Sequence, residues 1–335
     1  MKIAVSGLNN TDNPAPGIGV AKSLKEHDLV GLSYEASEPG IYQGIVEKVF
    51  LMPFPMLGWE DTKNRLLEIK EKTAIEAVIP NLDAELPVYI KYQKELKDLG
   101  IKTYLPSLEN FEMREKRHLN KFSKQLNLKH PTSIEISSID ELIKVIDELG
   151  YPIMIKGNYY KAYMANNLDE AISYFYKISN EWGFPLIAQQ VVSGTEINYI
   201  GIGDGEKLIA GVGMKKLMTT SLGKVWSAVT IKNQLLLEVA QKFVSKTGWK
   251  GAFELEAIAV GNEIYLIEIN PRFPAWVYFA TSVGVNLPKM LVDLMNGKKL
   301  EQNLEYPSEK MYVRYVEELV TDFSNFSKLL SNKEL

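Results

Sequence analysis

Short apolar segments alternate with helical patterns through the first hundred residues, and this alternation constrains the fold more than any other feature. Strands are predicted at residues 2–6, 29–32, 46–51, 77–79 and 101–104, and amphipathic helical stretches lie between several of them. Repeated strand–helix–strand units are typical of a parallel sheet with crossover helices. The sequence therefore predicts an α/β domain at the N-terminus.

The pattern changes after residue 105. Helices are predicted over 112–127, from Ser138 or Asp140 to 149, and over 234–248, whereas strand signals dominate between 153 and 260. Hairpin turns are indicated by Gly203-Asp204-Gly205 and by Gly261-Asn262. This part of the chain is predicted to be α+β.

Composition excludes several classes of function. The 335 residues contain no cysteine, so disulfide scaffolds, thiol nucleophiles and cysteine-bound metals are excluded. With 38 basic against 42 acidic residues, the chain lacks the positive excess that nucleic-acid binding requires. Its longest uncharged stretch, residues 273–288, is shorter than the roughly 20 apolar residues of a membrane span. We expect a cytoplasmic protein that acts on neither nucleic acid nor membranes.

Acidic residues on a predicted hairpin are the strongest functional signal. The turn at Gly261-Asn262 can bring Glu254 near Glu268, and Asn270 shares a strand face with Glu268. Carboxylates converging in an apolar setting are costly to bury without a cation, and hard oxygen donors suit Mg²⁺ or Mn²⁺. Arg272 follows at once, and a guanidinium grips phosphate in bidentate fashion. The alternative is a solvated surface hairpin whose arginine pairs with one of its acids.

With its Glu-x-Asn-Pro-Arg strand, the sequence resembles the ATP-grasp superfamily over most of its length. The resemblance is closest to the synthetase domain of the carbamoyl-phosphate synthetase large subunit and to single-chain carboxylate–amine ligases. It implies that Glu254, Glu268 and Asn270 ligate Mg²⁺ and that Arg272 is a catalytic residue contacting phosphate.

The same resemblance implies two basic residues that contact the phosphates of ATP. Lys116 stands at the start of a predicted helix, and Lys156, the second catalytic candidate, closes the apolar run 152–155. For Lys116 a solvated helix lysine is an equally good interpretation.

The hinge segment 186–196 is similar to the family's adenine-binding segment. By resemblance the main chain of Gln190 and Val192 reads adenine and Glu196 binds the ribose hydroxyls. Gln189 or Gln190 stands where the family usually has a glutamate, which removes a charge and leaves the backbone contacts intact.

The resemblance also implies a domain organisation. Residues 1–107 would form a Rossmann-like domain with a parallel sheet, 108–188 the small lobe of a two-lobed ATP-grasp fold, and 189–335 the large lobe with the metal site and a C-terminal strand.

The leading hypothesis is an ATP-dependent carboxylate–amine ligase that forms an amide or peptide bond through an acyl phosphate. Its cofactors would be ATP and Mg²⁺ (or Mn²⁺), and its partners a small carboxylate and an amine, with a homodimer left open. An ATP-binding regulatory subunit without ligase activity is the alternative, because residues 157–163 have one glycine and three tyrosines where the family is usually glycine-rich. A nicotinamide oxidoreductase is disfavoured, because residues 7–19 lack the compact Gly-x-Gly-x-x-Gly spacing.

Overall fold

The computed structural model describes residues 1–157, 161–221 and 223–335. The chain forms two compact units. The first comprises Met1–Leu108, Asn198–Glu254 and Asn270–Leu335, and the second comprises Glu109–Ile197 and Leu255–Ile269. The division into domains at 107 and 188 stays a prediction.

The strands are, in chain order, β1 (Lys2–Ser6), β2 (Asp28–Ser33), β3 (Lys48–Leu51), β4 (Ala77–Ile79), β5 (Ser133–Ile136), β6 (Ile153–Lys156), β7 (Ala162–Ala165), β8 (Leu186–Gln190), β9 (Thr195–Asp204), β10 (Leu208–Thr219), β11 (Val225–Thr230), β12 (Lys250–Val260), β13 (Glu263–Asn270) and β14 (Met311–Val313). The helices are α1 (Gly17–Ser23), α2 (Trp59–Thr73), α3 (Leu86–Lys91), α4 (Gln93–Asp98), α5 (Leu108–Met113), α6 (Lys116–Gln125), α7 (Ile139–Leu149), α8 (Leu168–Trp182), α9 (Gln234–Thr247), α10 (Val277–Ser282), α11 (Leu287–Met295) and α12 (Phe323–Asn332). None of the helices in the described residues has the length and apolarity to cross a bilayer.

The N-terminal part of the first unit is a parallel sheet with the strand order β3–β2–β1–β4. This confirms the predicted Rossmann-like sheet, although the segment predicted as a strand at 101–104 contributes only a single bridge, between Ala77 and Lys102. Helix α1 begins against the end of β1, where the Gly17 amide donates to Gly7 O over 2.8 Å. A Cβ at Gly17 would lie 2.1 Å from Ser6 O, so only glycine permits this close approach.

The first unit has a large apolar core that fixes the segment following β13. Side chains of β1, such as Ile3 and Val5, belong to the same buried cluster as Phe273, Trp276 and Val277. The backbone immediately after Arg272 is therefore held by core packing rather than left as a surface loop.

A six-stranded sheet has the order β13–β12–β9–β10–β11–β14. Along the chain, β9, β12 and β13 each pass from one unit into the other. Gly261 and Asn262 alone separate β12 from β13, and Gly261 has φ +53°, as a two-residue hairpin turn requires. The predicted hairpin is confirmed.

The second unit contains a four-stranded antiparallel sheet, β5–β8–β6–β7, packed on α7 and α8. Ser138 caps α7 as predicted, since its Oγ accepts from the Glu141 amide over 3.2 Å. The single helix predicted over 112–127 is wrong. Extended backbone at Glu115, with ψ 142°, separates α5 from α6 and makes Lys116 the first residue of α6.

Candidate functional site

In the first unit, Glu254 is a buried carboxylate that three neutral N–H donors hold in place. Its Oε1 accepts from Asn198 Nδ2 and from Trp276 Nε1, each over 2.7 Å, and its Oε2 accepts from Asn270 Nδ2 over 3.0 Å. The donors come from β9, β13 and the residue preceding α10, so the carboxylate has a fixed orientation.

The amide orientation of Asn270 follows from this contact. Because its Nδ2 donates to Glu254, its Oδ1 points away from that carboxylate. Asn270 thus helps to hold Glu254, another predicted metal ligand, in place.

Arg272 is held by an acid from the N-terminal sheet. Its Nη2 lies 2.8 Å from Asp83 Oδ2, and its Nη1 donates to Phe273 O over 3.2 Å. Asp83 lies in the segment 81–85 that follows β4, and the side chain of Arg272 is largely buried. These contacts therefore fix the orientation of the planar guanidinium.

In the second unit, Lys156, the last residue of β6, is buried and carries a perturbed amine. The pKa of Lys156 is lowered to about 8, chiefly by burial and then by the nearby Lys116 ammonium, while the Glu268 and Glu256 carboxylates oppose the shift. Lys116 Nζ lies 3.7 Å from Glu268 Oε2. The structure thus brings together Lys156, Lys116 and Glu268, which the sequence placed far apart.

A chain of hydrogen bonds orients the Lys156 ammonium. Lys156 donates to Gln189 Oε1, and Gln189 Nε2 donates to Ser133 Oγ over 2.7 Å. Ser133 Oγ in turn lies 3.1 Å from His130 Nε2, while His130 Nδ1 lies 2.7 Å from Leu266 O and must be its protonated nitrogen. Burial lowers the pKa of His130 to about 4, so this ring is neutral at pH 7. Gln189 is buried and supports Lys156 through its side chain.

The rest of the hinge lies at and beyond the end of β8. The Gln190 amide donates to Thr132 O over 2.8 Å. Val192 is half-buried in the segment between β8 and β9, and Glu196 is exposed on β9. The roles predicted for Gln190, Val192 and Glu196 stay predictions.

Only part of the tyrosine-rich segment 157–163 falls within the described residues, since residues 158–160 lie outside them. Tyr163 stacks on Tyr174 of α8 with ring centroids 4.9 Å apart, and Lys177 Nζ lies 4.6 Å from the centre of the Tyr163 ring. This tyrosine is therefore a packing residue of the second unit.

The predicted metal ligands are of donor types that suit a hard divalent cation. Glu254, Glu268 and Asn270 offer two carboxylates and an amide oxygen, the ligand types that Mg²⁺ prefers. In the described part of the chain no three His, Cys, Asp or Glu side chains converge as a group that could hold a metal ion. The ligand roles themselves stay predictions.

Several residues that shape these clusters escaped sequence reasoning. Asn198, His130 and Ser133 occupy no recognisable motif, and only the sheet pairing brings them to their partners. Trp276 donates to Glu254, and Asp83 pairs with Arg272.

Comparison with known proteins finds similarity to an ATP-grasp family over part of the chain. Residues 185–319 match the family described as ATP-grasp in the biosynthetic pathway with Ter operon. The carbamoyl phosphate synthase large chain of Clostridium acetobutylicum is 26% identical over 71% of this chain and 24% of its own. The C-terminal section of that large chain from Methanocaldococcus jannaschii is 25% identical over 77% of this chain and 44% of its own. The chain thus spans less than half the length of these curated relatives.

Solved structures agree on the architecture. A biotin carboxylase from Campylobacter jejuni superposes with a TM-score of 0.70 at 14% identity, covering 90% of this chain and 72% of its own. The chain has the ATP-grasp fold. The L-amino acid ligase of Bacillus licheniformis superposes with a TM-score of 0.66 at 17% identity, covering 90% of this chain and 75% of its own. The predicted resemblance to ATP-grasp ligases is confirmed.

Proposed function

We propose that this ATP-grasp chain is an ATP-dependent ligase that joins a small carboxylate to an amine through an acyl phosphate. The observation that carries the proposal is the buried Lys156, held by Gln189 and accompanied by Lys116 and Glu268. A buried ammonium beside a second ammonium is costly unless a polyanion is its natural partner.

The residues would act on ATP in the following way. Lys156 and Lys116 would bind phosphate oxygens, and the main chain of Gln190 and Val192 would hold adenine, with Glu196 on the ribose. Gln189 would keep the Lys156 ammonium pointed at its phosphate. Glu254, Glu268 and Asn270 would hold Mg²⁺, which would offset the negative charge of the phosphates.

The reaction that we propose needs no protein nucleophile. A carboxylate oxygen of the acid attacks the γ-phosphorus, the bond to the β-phosphate oxygen breaks, and ADP leaves. The amine then attacks the acyl carbon, inorganic phosphate leaves, and the amine loses a proton. Arg272, fixed by Asp83, would stabilise charge on the transferred phosphoryl group.

A screen of acids against amines for phosphate release tests this proposal. We expect ADP and phosphate only when both substrates are supplied, and the Glu268→Gln variant to lose turnover by at least a hundredfold. Glu263→Gln is the matched control, because Glu263 lies on the same strand and pairs with Lys129 at the surface. Full ligase activity in Glu268→Gln would contradict the metal assignment.

A regulatory ATP-binding subunit remains the second candidate, and one observation favours it. Residues 157–163 contain a single glycine, and the Tyr163 ring stacks on the Tyr174 ring. Backbone amides approach phosphate best where side chains are absent. Calorimetry showing Mg²⁺–ATP binding, with no phosphate release across the substrate panel, would support this alternative.

A further inference from the structure

Ser133, Gln189 and Lys156 form a row across three adjacent strands of the second unit's antiparallel sheet. Ser133 of β5 lies directly opposite Gln189 of β8 in the sheet register. Lys156 of β6 lies opposite Ile187, two residues before Gln189 on β8, so the side chains of Lys156 and Gln189 share a face of the sheet. The contacts of Gln189 with Ser133 and with Lys156 therefore follow from strand pairing.

The two ends of the Gln189 amide face different neighbours. Its Oε1 accepts from the Lys156 ammonium, and its Nε2 donates to Ser133 Oγ over 2.7 Å. An ammonium only donates hydrogen bonds, so a reversed amide would set an N–H donor against it. Within the described residues the buried Gln189 is the one hydrogen-bond partner of the Lys156 side chain. The direction of this amide therefore decides how the ammonium is held.

The Ser133 hydroxyl is fixed so that its oxygen can accept from Gln189. Its Oγ donates to Pro131 O over 2.9 Å and lies 3.1 Å from His130 Nε2. Because His130 Nδ1 donates to Leu266 O, Nε2 of this neutral ring is an acceptor. The one hydroxyl hydrogen of Ser133 thus goes to Pro131 or to His130. A lone pair on the oxygen stays available for Gln189 Nε2, so this hydroxyl favours the amide direction that the structure shows.

We propose that Ser133 is a positioning residue for ATP, a role that rests on the phosphate contact proposed for Lys156. By holding Gln189 Nε2, Ser133 keeps Oε1 on the ammonium and so aims the ammonium at a phosphate. In the described part of the chain Ser133 makes no hydrogen bond to Lys156 itself, so its effect passes through Gln189. Without the hydroxyl the amide loses the acceptor that fixes its direction, and Lys156 binds phosphate less well.

A double-mutant cycle, measured by calorimetry with Mg²⁺–ATP on the full chain, tests this role. We expect Ser133→Ala to weaken binding by about 3- to 10-fold, the effect of one hydrogen bond. In the Lys156→Gln background the same change should weaken binding by less than about twofold. Ser123→Ala should bind as wild type does. It is the matched control, because Ser123 is buried in α6 of the same unit and its Oγ has no hydrogen-bond partner within the described residues.

Two further substitutions separate the hydroxyl from the shape of the side chain. Ser133→Thr keeps the hydroxyl and should bind Mg²⁺–ATP as wild type does. Ser133→Val has nearly the shape of threonine and also suits a strand, but it lacks the hydroxyl and should show the same loss as Ser133→Ala. Circular dichroism checks that each variant is folded, and Ser133→Val serves in the cycle if Ser133→Ala does not fold.

The possible results distinguish this role from the proposed function. Equal affinity in Lys156→Gln and wild type, or no binding by either, would overturn the phosphate contact of Lys156 and the positioning role with it. A loss in Lys156→Gln together with unchanged binding in Ser133→Ala would overturn the positioning role alone. Equal losses from Ser133→Ala in the wild-type and Lys156→Gln backgrounds would also overturn it, because the effect would then not pass through Lys156.

Discussion

Lys156 shows how burial and neighbouring charge set the chemistry of one side chain. It closes an apolar strand, and its ammonium is surrounded by another ammonium, two carboxylates and the Gln189 amide. The hinge glutamine matters here, because a carboxylate at position 189 would neutralise Lys156 and compete with phosphate. A neutral partner positions the charge and leaves it available for an anion.

We expect Lys156→Gln to weaken ATP binding by about 10- to 100-fold, since a hydrogen bond to a charged group contributes about 1.5–3 kcal/mol. Isothermal titration calorimetry with Mg²⁺–ATP provides the measurement. Lys129→Gln is the control, because Lys129 belongs to the same unit but pairs with Glu263 at the surface. Equal affinity in Lys156→Gln and wild type would exclude Lys156 from the nucleotide site.

Glu38 predicts a pH dependence of stability. Burial raises the pKa of Glu38 to about 7 from its ordinary value of 4.5, although the Leu8 amide donates to its Oε2. The folded state therefore binds this proton more tightly than the unfolded state, and the resulting stability is lost as pH rises from about 4.5 through 7. Burial also raises the pKa of Glu85, in the same direction.

We expect Glu38→Gln to lose less stability than wild type as the pH rises. The urea midpoint of wild type should fall between pH 5 and pH 8, and the fall should be smaller in Glu38→Gln. Glu26→Gln, at an exposed position of the same unit, should follow wild type. If the urea midpoints of Glu38→Gln and wild type fell equally between pH 5 and pH 8, Glu38 would not be the titrating group.

Among the elements, α1 depends on a single glycine at its first residue. A Cβ at Gly17 would clash with the carbonyl oxygens of Ser6 and Gly7, at 2.1 and 2.4 Å, and backbone cannot move as a side chain can. We expect Gly17→Ala to lower the free energy of unfolding by at least about 3 kcal/mol, the upper end of typical overpacking costs. Gly44→Ala should cost only about 1 kcal/mol, the cost of its left-handed φ, because no heavy atom lies within 4 Å of the added Cβ. Chemical denaturation compares the two, and equal losses would contradict the steric argument.

Local sequence signals were sufficient to predict several turns and element ends. The two-residue turn at Gly261-Asn262, the end of β6 at Lys156 and the cap at Ser138 all depend on neighbouring residues, and the structure has each of them. The alternation of short apolar segments with helical patterns was enough to predict the N-terminal parallel sheet.

The remaining features depend on tertiary structure. Periodicity across 112–127 continues through Arg114 and Glu115, so it could not reveal the break between α5 and α6. The contacts of Glu254 with Asn198, and of Arg272 with Asp83, join residues 56 and 189 positions apart. Such contacts are set by how strands pair and helices pack, which a motif does not record.

At the scale of the whole molecule, the proposed chemistry is divided between the two units. Glu254, Asn270 and Arg272 belong to the first, whereas Lys116, Lys156 and Glu268 belong to the second. Strand β13 carries both Glu268 and Asn270, so the covalent chain itself links the two sets.

Ligand binding should accordingly stabilise the folded chain. We expect Mg²⁺–ATP at a hundredfold excess over its dissociation constant to raise the free energy of unfolding of wild type by about 2.7 kcal/mol. At the same ligand concentration the free energy of unfolding should rise less in Glu268→Gln than in wild type. In Glu263→Gln it should rise as much as in wild type. Thermal denaturation with and without Mg²⁺–ATP measures this, and equal stabilisation of all three proteins would exclude Glu268 from the binding set.

The acyl phosphate is the central claim, and isotope transfer tests it most directly. Once a carboxylate substrate is identified, it is supplied with ¹⁸O in both carboxyl oxygens, together with ATP, Mg²⁺ and the amine, and the released phosphate is analysed by mass spectrometry. The account predicts one ¹⁸O atom in each phosphate, because the attacking carboxylate oxygen leaves with the phosphoryl group. Phosphate without ¹⁸O, formed while the amide product accumulates, would contradict it.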